Sequence, residues 1–435
     1  MTQIGLIYGA NAATGDGRLT QDDVFSIQRG RIYLDGKPFA EISFNKFDLF
    51  WQLWWSAKKG NLLDDSSEIV RKQDLALSEL HAMGFKTIRI FGMPWGNWEF
   101  SDVYDNPGLR EKVFYAAVTK TLDLCDKYGL RVVYSLDTQN FNDRRLLSTG
   151  KWDYGQEHMR DLLKNPESRS RKRLYTFLEE FIPRMKHRKT IAMWEVGNEI
   201  TLAADIGNPK DNNLWNGSRM PSSLHVANFY RDIQVKLKQL DPLRLVNNGG
   251  SNMRVYQWNI YQGRGYKTDT FEEQIKAFDL MLGKSGIDFM DIHHYPNNRP
   301  GGGYPIKDSS GNTLVLDLHG YQSIAAHLQK PLMIGELGVL PKLKSKNPKV
   351  WEETPQYFES FEDVQAAKPW VQRALDQVVE AKVPLVYWWS YSSDRPEDKK
   401  REYEDFKKGR DDVYLSMIME ANRRLKEALG VIVDK

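Results

Sequence analysis

Two glutamates are the residues of this chain whose type and placement suggest covalent chemistry. Glu199 stands in T-I-A-M-W-E-V-G-N-E-I-T-L, residues 190–202, and Glu336 in P-L-M-I-G-E-L-G-V-L, residues 331–340. Each follows a short apolar run: Ile191, Ala192, Met193, Trp194 and Val196 before the first, and Leu332, Met333 and Ile334 before the second. Such runs have little helical periodicity and suit strands buried on both faces. A carboxylate where a buried strand ends is costly unless it has a partner or a task. Two such strand ends brought together would make one site, and paired carboxylates are what cleavage of a glycosidic bond requires.

The elements that must position them form a series. Strands are expected near residues 39–45, 87–91, 130–137, 191–198, 244–248, 289–293, 332–335 and 384–389. Helices are expected from about 67 to Gly84, then over 109–128, 167–185, 223–240, 272–282, 321–328, 369–381 and 412–429. Strict alternation implies an α/β protein with a parallel sheet. Eight such units close most simply into a single (β/α)8 TIM barrel spanning the chain, residues 1–435. An open doubly wound sheet is the alternative, but it usually brings a glycine-rich phosphate loop after an early strand. Gly301–Gly303 falls in a loop and does not supply one. Segments after strands are long and those before them short, as expected of a barrel with elaborate loops on its C-terminal face. Residues 1–38 form an N-terminal extension, with Asp35-Gly36 as a hairpin signal and an expected place over the barrel floor.

In a barrel, the C-terminal strand ends converge on one cavity. Here they carry Asn45, Arg89, Asp137, Asn198 with Glu199, Asn247 or Asn248, His293 with His294 and Tyr295, Glu336, and Trp388 with Trp389. Eight apolar strands that all end in polar or aromatic residues are a stronger signal than any one member. Arg89 alone would be an ordinary ion-pair residue; beside Glu336 it would keep that carboxylate ionised. Glu195 is expected to point into the barrel and pair with a basic residue rather than react. His293 and His294 have neither a nearby further histidine nor an H-E-x-x-H spacing, so no metal is expected. Phe47–Trp55, F-D-L-F-W-Q-L-W-W, reads equally as a packed helix or as a sugar platform. Trp95, Trp98, Trp215, Trp258 and Trp351 are weaker platform candidates.

Composition removes other classes. With 61 basic and 58 acidic residues the net charge is +3, and no long basic run implies nucleic acid. The single cysteine, Cys125, excludes an intramolecular disulfide and a cysteine metal site. No apolar stretch is long enough for a membrane span. The N-terminus lacks the basic region and long apolar core of a signal peptide, so a cytoplasmic location is expected, or secretion if a signal has been removed. Oligomeric state is not legible.

On these residues the chain resembles the clan A glycoside hydrolases, most closely family five, which holds endo-β-glucanases and β-mannanases. The resemblance spans about residues 31–429. It implies that Glu199, preceded by Asn198 at the end of strand 4, is the general acid/base, and that Glu336 at the end of strand 7 is the nucleophile. It also implies that Arg89, His293, Tyr295 and Trp389 serve the site, with Asn198 on the sugar 2-OH and Trp389 under the reacting ring. Two features depart from the family: Ile200 stands where a proline usually follows Asn-Glu, and Asp137 where strand 3 often ends in histidine. The implied activity is retaining cleavage of β-1,4-linked glucan or mannan without a cofactor, in which Glu199 starts protonated, raised by burial and by Glu336. An exo-acting β-glycosidase on short oligosaccharides, a non-catalytic carbohydrate-binding barrel and a metal-dependent hydrolase are the competing readings.

Overall fold

The computed structural model describes residues 19–94, 97–141, 161–205, 221–295, 303–339, 357–358, 361–391, 401–402, 406–409 and 411–431. Its centre is an eight-stranded parallel sheet: β1 (Glu41–Asn45), β2 (Thr87–Phe91), β3 (Arg131–Ser135), β4 (Ile191–Glu195), β5 (Leu245–Asn247), β6 (Met290–His294), β7 (Leu332–Leu337) and β8 (Leu385–Trp388). The strand order is β5-β4-β3-β2-β1-β8-β7-β6. Seven of these strands are buried at every position, as a parallel sheet covered on both faces requires. The remaining seam, between β5 and β6, is stitched by Asp288. Its backbone N–H donates to Val246 O at 2.9 Å, and its carboxylate accepts the Val246 N–H at 2.7 Å. The Asp291 N–H adds a bond to Asn248 Oδ1 at 3.3 Å. The chain is thus a (β/α)8 TIM barrel.

Helices α1 (Asp48–Lys58), α2 (Glu68–Ala82), α3 (Ala116–Lys127), α4 (Arg169–Met185), α5 (Ser223–Leu240), α6 (Phe271–Phe278), α7 (Leu318–His327), α8 (Phe361–Glu380) and α9 (Asp412–Ala428) cover the outside. Their starts carry the side chains that orphaned backbone donors need. Ser168 caps the Arg171 N–H, Ser222 the His225 N–H and Thr270 the Glu273 N–H. The stretch after β1, read equally as packed helix or sugar platform, is a packed helix, α1, which buries Leu49, Phe50, Leu53 and Trp54 against the barrel, so that most of it is core. One difference from the sequence expectation stands out. The helix expected from Pro369 begins at Phe361, with Pro369 inside it; a proline marks a preferred start but does not forbid an interior place where the helix accepts one missing bond.

Before the barrel, Ser26–Gln28, Arg31–Leu34 and Lys37–Pro38 form a three-stranded antiparallel sheet. Its turns use positive φ at Arg29-Gly30 and Asp35-Gly36, the hand that matches strand twist. Phe25, Ile32 and Leu34 pack in one cluster with Val133, Ala192, Met193, Phe289, Met333, Leu385 and Tyr387, side chains of or beside the barrel strands. After β6 a further hairpin, Tyr304–Lys307 paired with Thr313–Leu316, stands within what the sequence reads as loop. No helix among the described residues is long and apolar enough to cross a membrane.

Candidate active site

The two glutamates reach the same cavity by different routes. Glu336 lies within β7. The ladder of β7 slips register between Ile334 and Glu336 against β6, and between Ile334 and Leu337 against β8. Such a bulge bends the strand and re-aims a side chain. Gly335 makes it possible: a Cβ there would stand 2.7 Å from Asp291 Oδ2. The Gly335 N–H donates to Asp291 Oδ1 at 2.6 Å, and its carbonyl accepts Asn45 Nδ2 at 2.8 Å.

Glu199 lies beyond its strand. β4 ends at Glu195, and the chain turns through Val196–Asn198 to place Glu199 at φ +54°. Left-handed backbone at a non-glycine residue is a strained arrangement that its surroundings must hold. The Glu199 N–H donates to Gly249 O at 2.7 Å and the Asn198 N–H to Asp137 Oδ1 at 3.3 Å. Gly249 must be small, since a Cβ there would come within 2.5 Å of Gly197 O. Arg254 ties the following turn by bonds to Leu202 O at 2.6 Å and Ala204 O at 2.9 Å.

Arg89 is the fully buried hub beneath both. Its Nε and Nη2 grip Glu195 at 2.8 and 2.7 Å, Nη2 donates to Asn198 Oδ1 at 2.7 Å, and Nη1 donates to Asn45 Oδ1 at 2.8 Å. Nη1 also stands 3.3 Å from Glu336 Oε1. Glu195 therefore takes the basic partner expected of it, and that partner is Arg89. Asn45, named from the sequence as a sugar contact, is buried and braces Arg89 against the carbonyls of Gly335 and Tyr387. Asp137, at φ +40°, is buried where it accepts from Ser135 Oγ at 2.9 Å and from the Asn198 backbone. Burial, with the Glu195 charge, pushes its carboxyl up to about 7.

His293 joins the pair. Its Nδ1 is 3.0 Å from Glu199 Oε1 and 3.3 Å from Glu336 Oε2. Tyr295 Oη donates to Glu336 Oε2 at 2.7 Å. Burial disfavours the imidazolium, but the Glu336 charge and the bond to Glu199 raise His293 above its ordinary value. Burial pushes Glu336 up, helped by the Glu199 charge and opposed by His293, Arg89 and Tyr295. Burial acts on Glu199 in the same sense, but the His293 hydrogen bond and charge, with Arg89, outweigh it and hold the carboxyl below its usual range. The sequence expectation for Glu199 was the opposite. It left out the imidazole that β6 inserts between the two acids, 3.0 Å from one and 3.3 Å from the other. Among the described residues, Glu199, His293 and Glu336 are also the three whose donor atoms come within 4.8 Å of one another, close enough to embrace a cation.

Trp389 is half-buried just after β8. It stacks on Phe47 at a centroid distance of 5.0 Å and leans on Phe91 at 5.7 Å. Phe91 in turn lies 5.1 Å under the Arg89 guanidinium. Phe47 is thus the member of the aromatic stretch before α1 that touches Trp389. Trp258 stands in the loop after β5, 5.6 Å from Tyr261. Trp215 and Trp351 lie outside the described residues, as do the side chains of Trp95 and Trp98.

The sequence pattern of the glycosyl hydrolases family 2 TIM barrel domain matches residues 111–399, more than half of the chain. The chain belongs to that family. This glycosyl hydrolase barrel also shares its fold with a solved family 5 enzyme and with solved mannanases, in line with the resemblance to clan A. One is a family 5 mannosidase from Rhizomucor miehei, 15% identical, with a TM-score of 0.62 over 95% of this chain and 100% of that one. A second is the endo-1,4-β-mannanase of the same organism, 14% identical, TM-score 0.56, covering 93% and 99%. A third is the endo-β-1,4-mannanase from Thermotoga petrophila, 14% identical, TM-score 0.54, covering 92% and 79%. No curated protein matches the glycosyl hydrolase sequence.

Two features of this site escaped the sequence reading. Asp291 was passed over, although D-I-H-H places it two residues before His293 and so on the same strand face. The link that His293 makes between the two glutamates has no sequence signal, because it depends on how β6 sits between β5 and β7.

Proposed function

We propose that this glycoside hydrolase is a retaining enzyme that cleaves β-1,4-linked mannan or glucan by double displacement, with Glu336 as nucleophile and Glu199 as acid/base. The observation that carries the reading is the spacing of the two acids. Carboxylate oxygens of Glu199 and Glu336 approach within 4.8 Å across His293. Retaining enzymes hold their carboxyl groups about 5–5.5 Å apart, whereas inverting ones need about 6.5–9.5 Å to admit a water.

In the first step a Glu336 oxygen bonds to the anomeric carbon as the glycosidic bond breaks, and Glu199 gives a proton to the departing oxygen. In the second, Glu199 takes a proton from water, the hydroxide oxygen bonds to the anomeric carbon and Glu336 leaves. His293 Nδ1 is placed to pass on the proton that the first step needs. Its transfer from Nδ1 to Glu199 across the 3.0 Å contact leaves a neutral imidazole and a protonated acid. Tyr295 and Arg89 hold Glu336 in place. Arg89 engages Asn198 Oδ1, which orients the amide so that Nδ2 is the group turned toward a sugar 2-OH. Trp389, backed by Phe47, forms the floor under the reacting ring.

The mannan side of the pair is supported by the fold neighbours, which are a mannosidase and mannanases. The mannosidase has the higher TM-score of these and favours, as a second reading, exo action on short β-mannosides. The test is product analysis of wild type and Glu336→Gln on β-mannans, β-glucans, xylan and their oligosaccharides, with and without EDTA. The expected result is sugar release by wild type from one polymer or its oligomers, unaffected by chelator, and none by the variant. Chelator-sensitive release would assign the Glu199–His293–Glu336 trio to a metal. Release of sugar from nothing would favour a binding barrel.

A further inference from the structure

Below the two glutamates lies a second layer of polar side chains, and Asp291 is its centre. It is fully enclosed on β6, with the Gly335 N–H at 2.6 Å on Oδ1 and Asn247 Nδ2 at 2.6 Å on Oδ2. Asn247 also reaches Glu195 Oε2 at 3.2 Å, and Glu195 is held by Arg89. One carboxylate oxygen of Asp291 thus anchors the bulge of β7, and the other ties it to the Arg89 hub that orients Asn198. The fit leaves no slack: any side chain at 335 would drive a Cβ to 2.7 Å from one Asp291 oxygen and 2.9 Å from the other. Among the described hydrogen bonds, the register slip that aims Glu336 is held on one side by Asp291 and on the other by Asn45 at the Gly335 carbonyl.

We propose that Asp291 is a positioning residue for the nucleophile: by accepting the Gly335 N–H it fixes the β7 bulge that points Glu336 at the anomeric carbon. The proposal rests on Glu336 being the nucleophile. A carboxyl oxygen 2.6 Å from the Gly335 N–H, on a side chain enclosed on every side, makes a short and directional anchor. It acts where a small displacement of the attacking atom matters most. No described hydrogen bond joins Asp291 to Glu336, so its hold on the nucleophile runs through the β7 backbone at Gly335.

The test compares Asp291→Ala, Asp291→Asn and Gly335→Ala with wild type and Glu336→Gln on aryl β-mannosides and β-glucosides of good and poor leaving groups. Asp291→Ala should lower kcat by roughly a hundredfold with KM within about twofold of wild type. The loss should be the same for both leaving groups, because it lies with the nucleophile and not with the acid. Asp291→Asn, which keeps an acceptor for Gly335, should recover part of that loss. Gly335→Ala, which crowds the same oxygens without removing them, should lower kcat with KM unchanged. If the Asp291 variants do not fold, Gly335→Ala decides alone. Wild-type kcat in Asp291→Ala or Gly335→Ala overturns the proposal, and so does a loss that appears in KM instead of kcat. A fully active Glu336→Gln would overturn the nucleophile reading itself, whereas an inactive Glu336→Gln beside a wild-type-like Asp291→Ala removes the positioning role alone.

Discussion

Glu199 and Glu336 face one cavity from supports of opposite kind. Glu336 is built into a strand. It is 5% exposed, its backbone belongs to the β7 ladder, and Tyr295, Arg89 and His293 meet its two oxygens. Glu199 stands four residues past its strand on a turn at positive φ, with its side chain about one third exposed and His293 as its described hydrogen-bond partner. A nucleophile has to be held at one point, and a strand does that. An acid that gives a proton to one molecule and takes one from the next must meet solvent, and a turn at the cavity edge does that. On the roles proposed for Glu336 and Glu199, the two supports differ as the two tasks do.

Substitutions can break this comparison, and the largest effect belongs to the rigid partner. Glu336→Gln should lower kcat by about 10⁴-fold or more, the scale seen when a nucleophile is removed, with the thermal midpoint little changed. Activity near wild type would show that Glu336 is only a well-supported carboxylate. Glu199→Ala should lower kcat by about 10²–10⁴-fold on substrates with poor leaving groups, and far less on aryl glycosides that leave unaided. If the two glutamates responded alike to leaving group, their division of labour would fail.

Smaller changes sharpen it. Tyr295→Phe removes the 2.7 Å bond that favours ionised Glu336. A bond to a charged group contributes about 1.5–3 kcal/mol, so kcat/KM at neutral pH should fall by roughly ten- to a hundredfold. That bond lowers the pKa of Glu336, so its loss raises it, and the acid limb of kcat/KM should move to higher pH. An unmoved limb would mean that Tyr295 does not serve the nucleophile. The smallest effect concerns stability. His294, next to His293 but enclosed by Tyr304 and Tyr321, is pushed down to about 4 by burial. Its neutral form stabilises the fold above about pH 6.5, and that contribution is lost as pH falls toward 4; fully developed, it is of the order of 3 kcal/mol. His294→Phe should flatten the fall of the thermal midpoint between pH 6.5 and 4 without changing kcat/KM at pH 7.

The barrel was legible because its signal is redundant. Strands such as Ile191–Glu195 and Leu385–Trp388 are buried on both faces, so their apolar runs stand out from the amphipathic helices between them. The glutamate pair was legible for the same reason, since a carboxylate beside such a run is conspicuous. What stayed hidden depends on three-dimensional contact. The β7 bulge needs Gly335 to meet Asp291, and G-E-L-G reads equally well as a plain turn. Glu199 looked like a strand-end residue because Val196 extends the apolar run and still bonds to Asn247 O, although β4 ends at Glu195 and Glu199 stands on the turn beyond. The sense of the Glu199 shift was misread because no local pattern reports that His293 comes within 3.0 Å of it. Phe47–Trp55 read equally as packed helix or platform, and burial of Trp54 in α1 decides most of it for packing.

The central claim is that Glu336 forms the covalent intermediate. The direct measurement is incubation of the protein with 2,4-dinitrophenyl 2-deoxy-2-fluoro-β-mannoside and the matching glucoside, followed by intact mass and peptide mapping. The account predicts a single glycosyl adduct on the peptide carrying Glu336, absent in Glu336→Gln and still formed in Glu199→Ala, whose leaving group needs no acid. An adduct on Glu199, or hydrolysis of the parent aryl glycoside with inversion and no adduct, would contradict it.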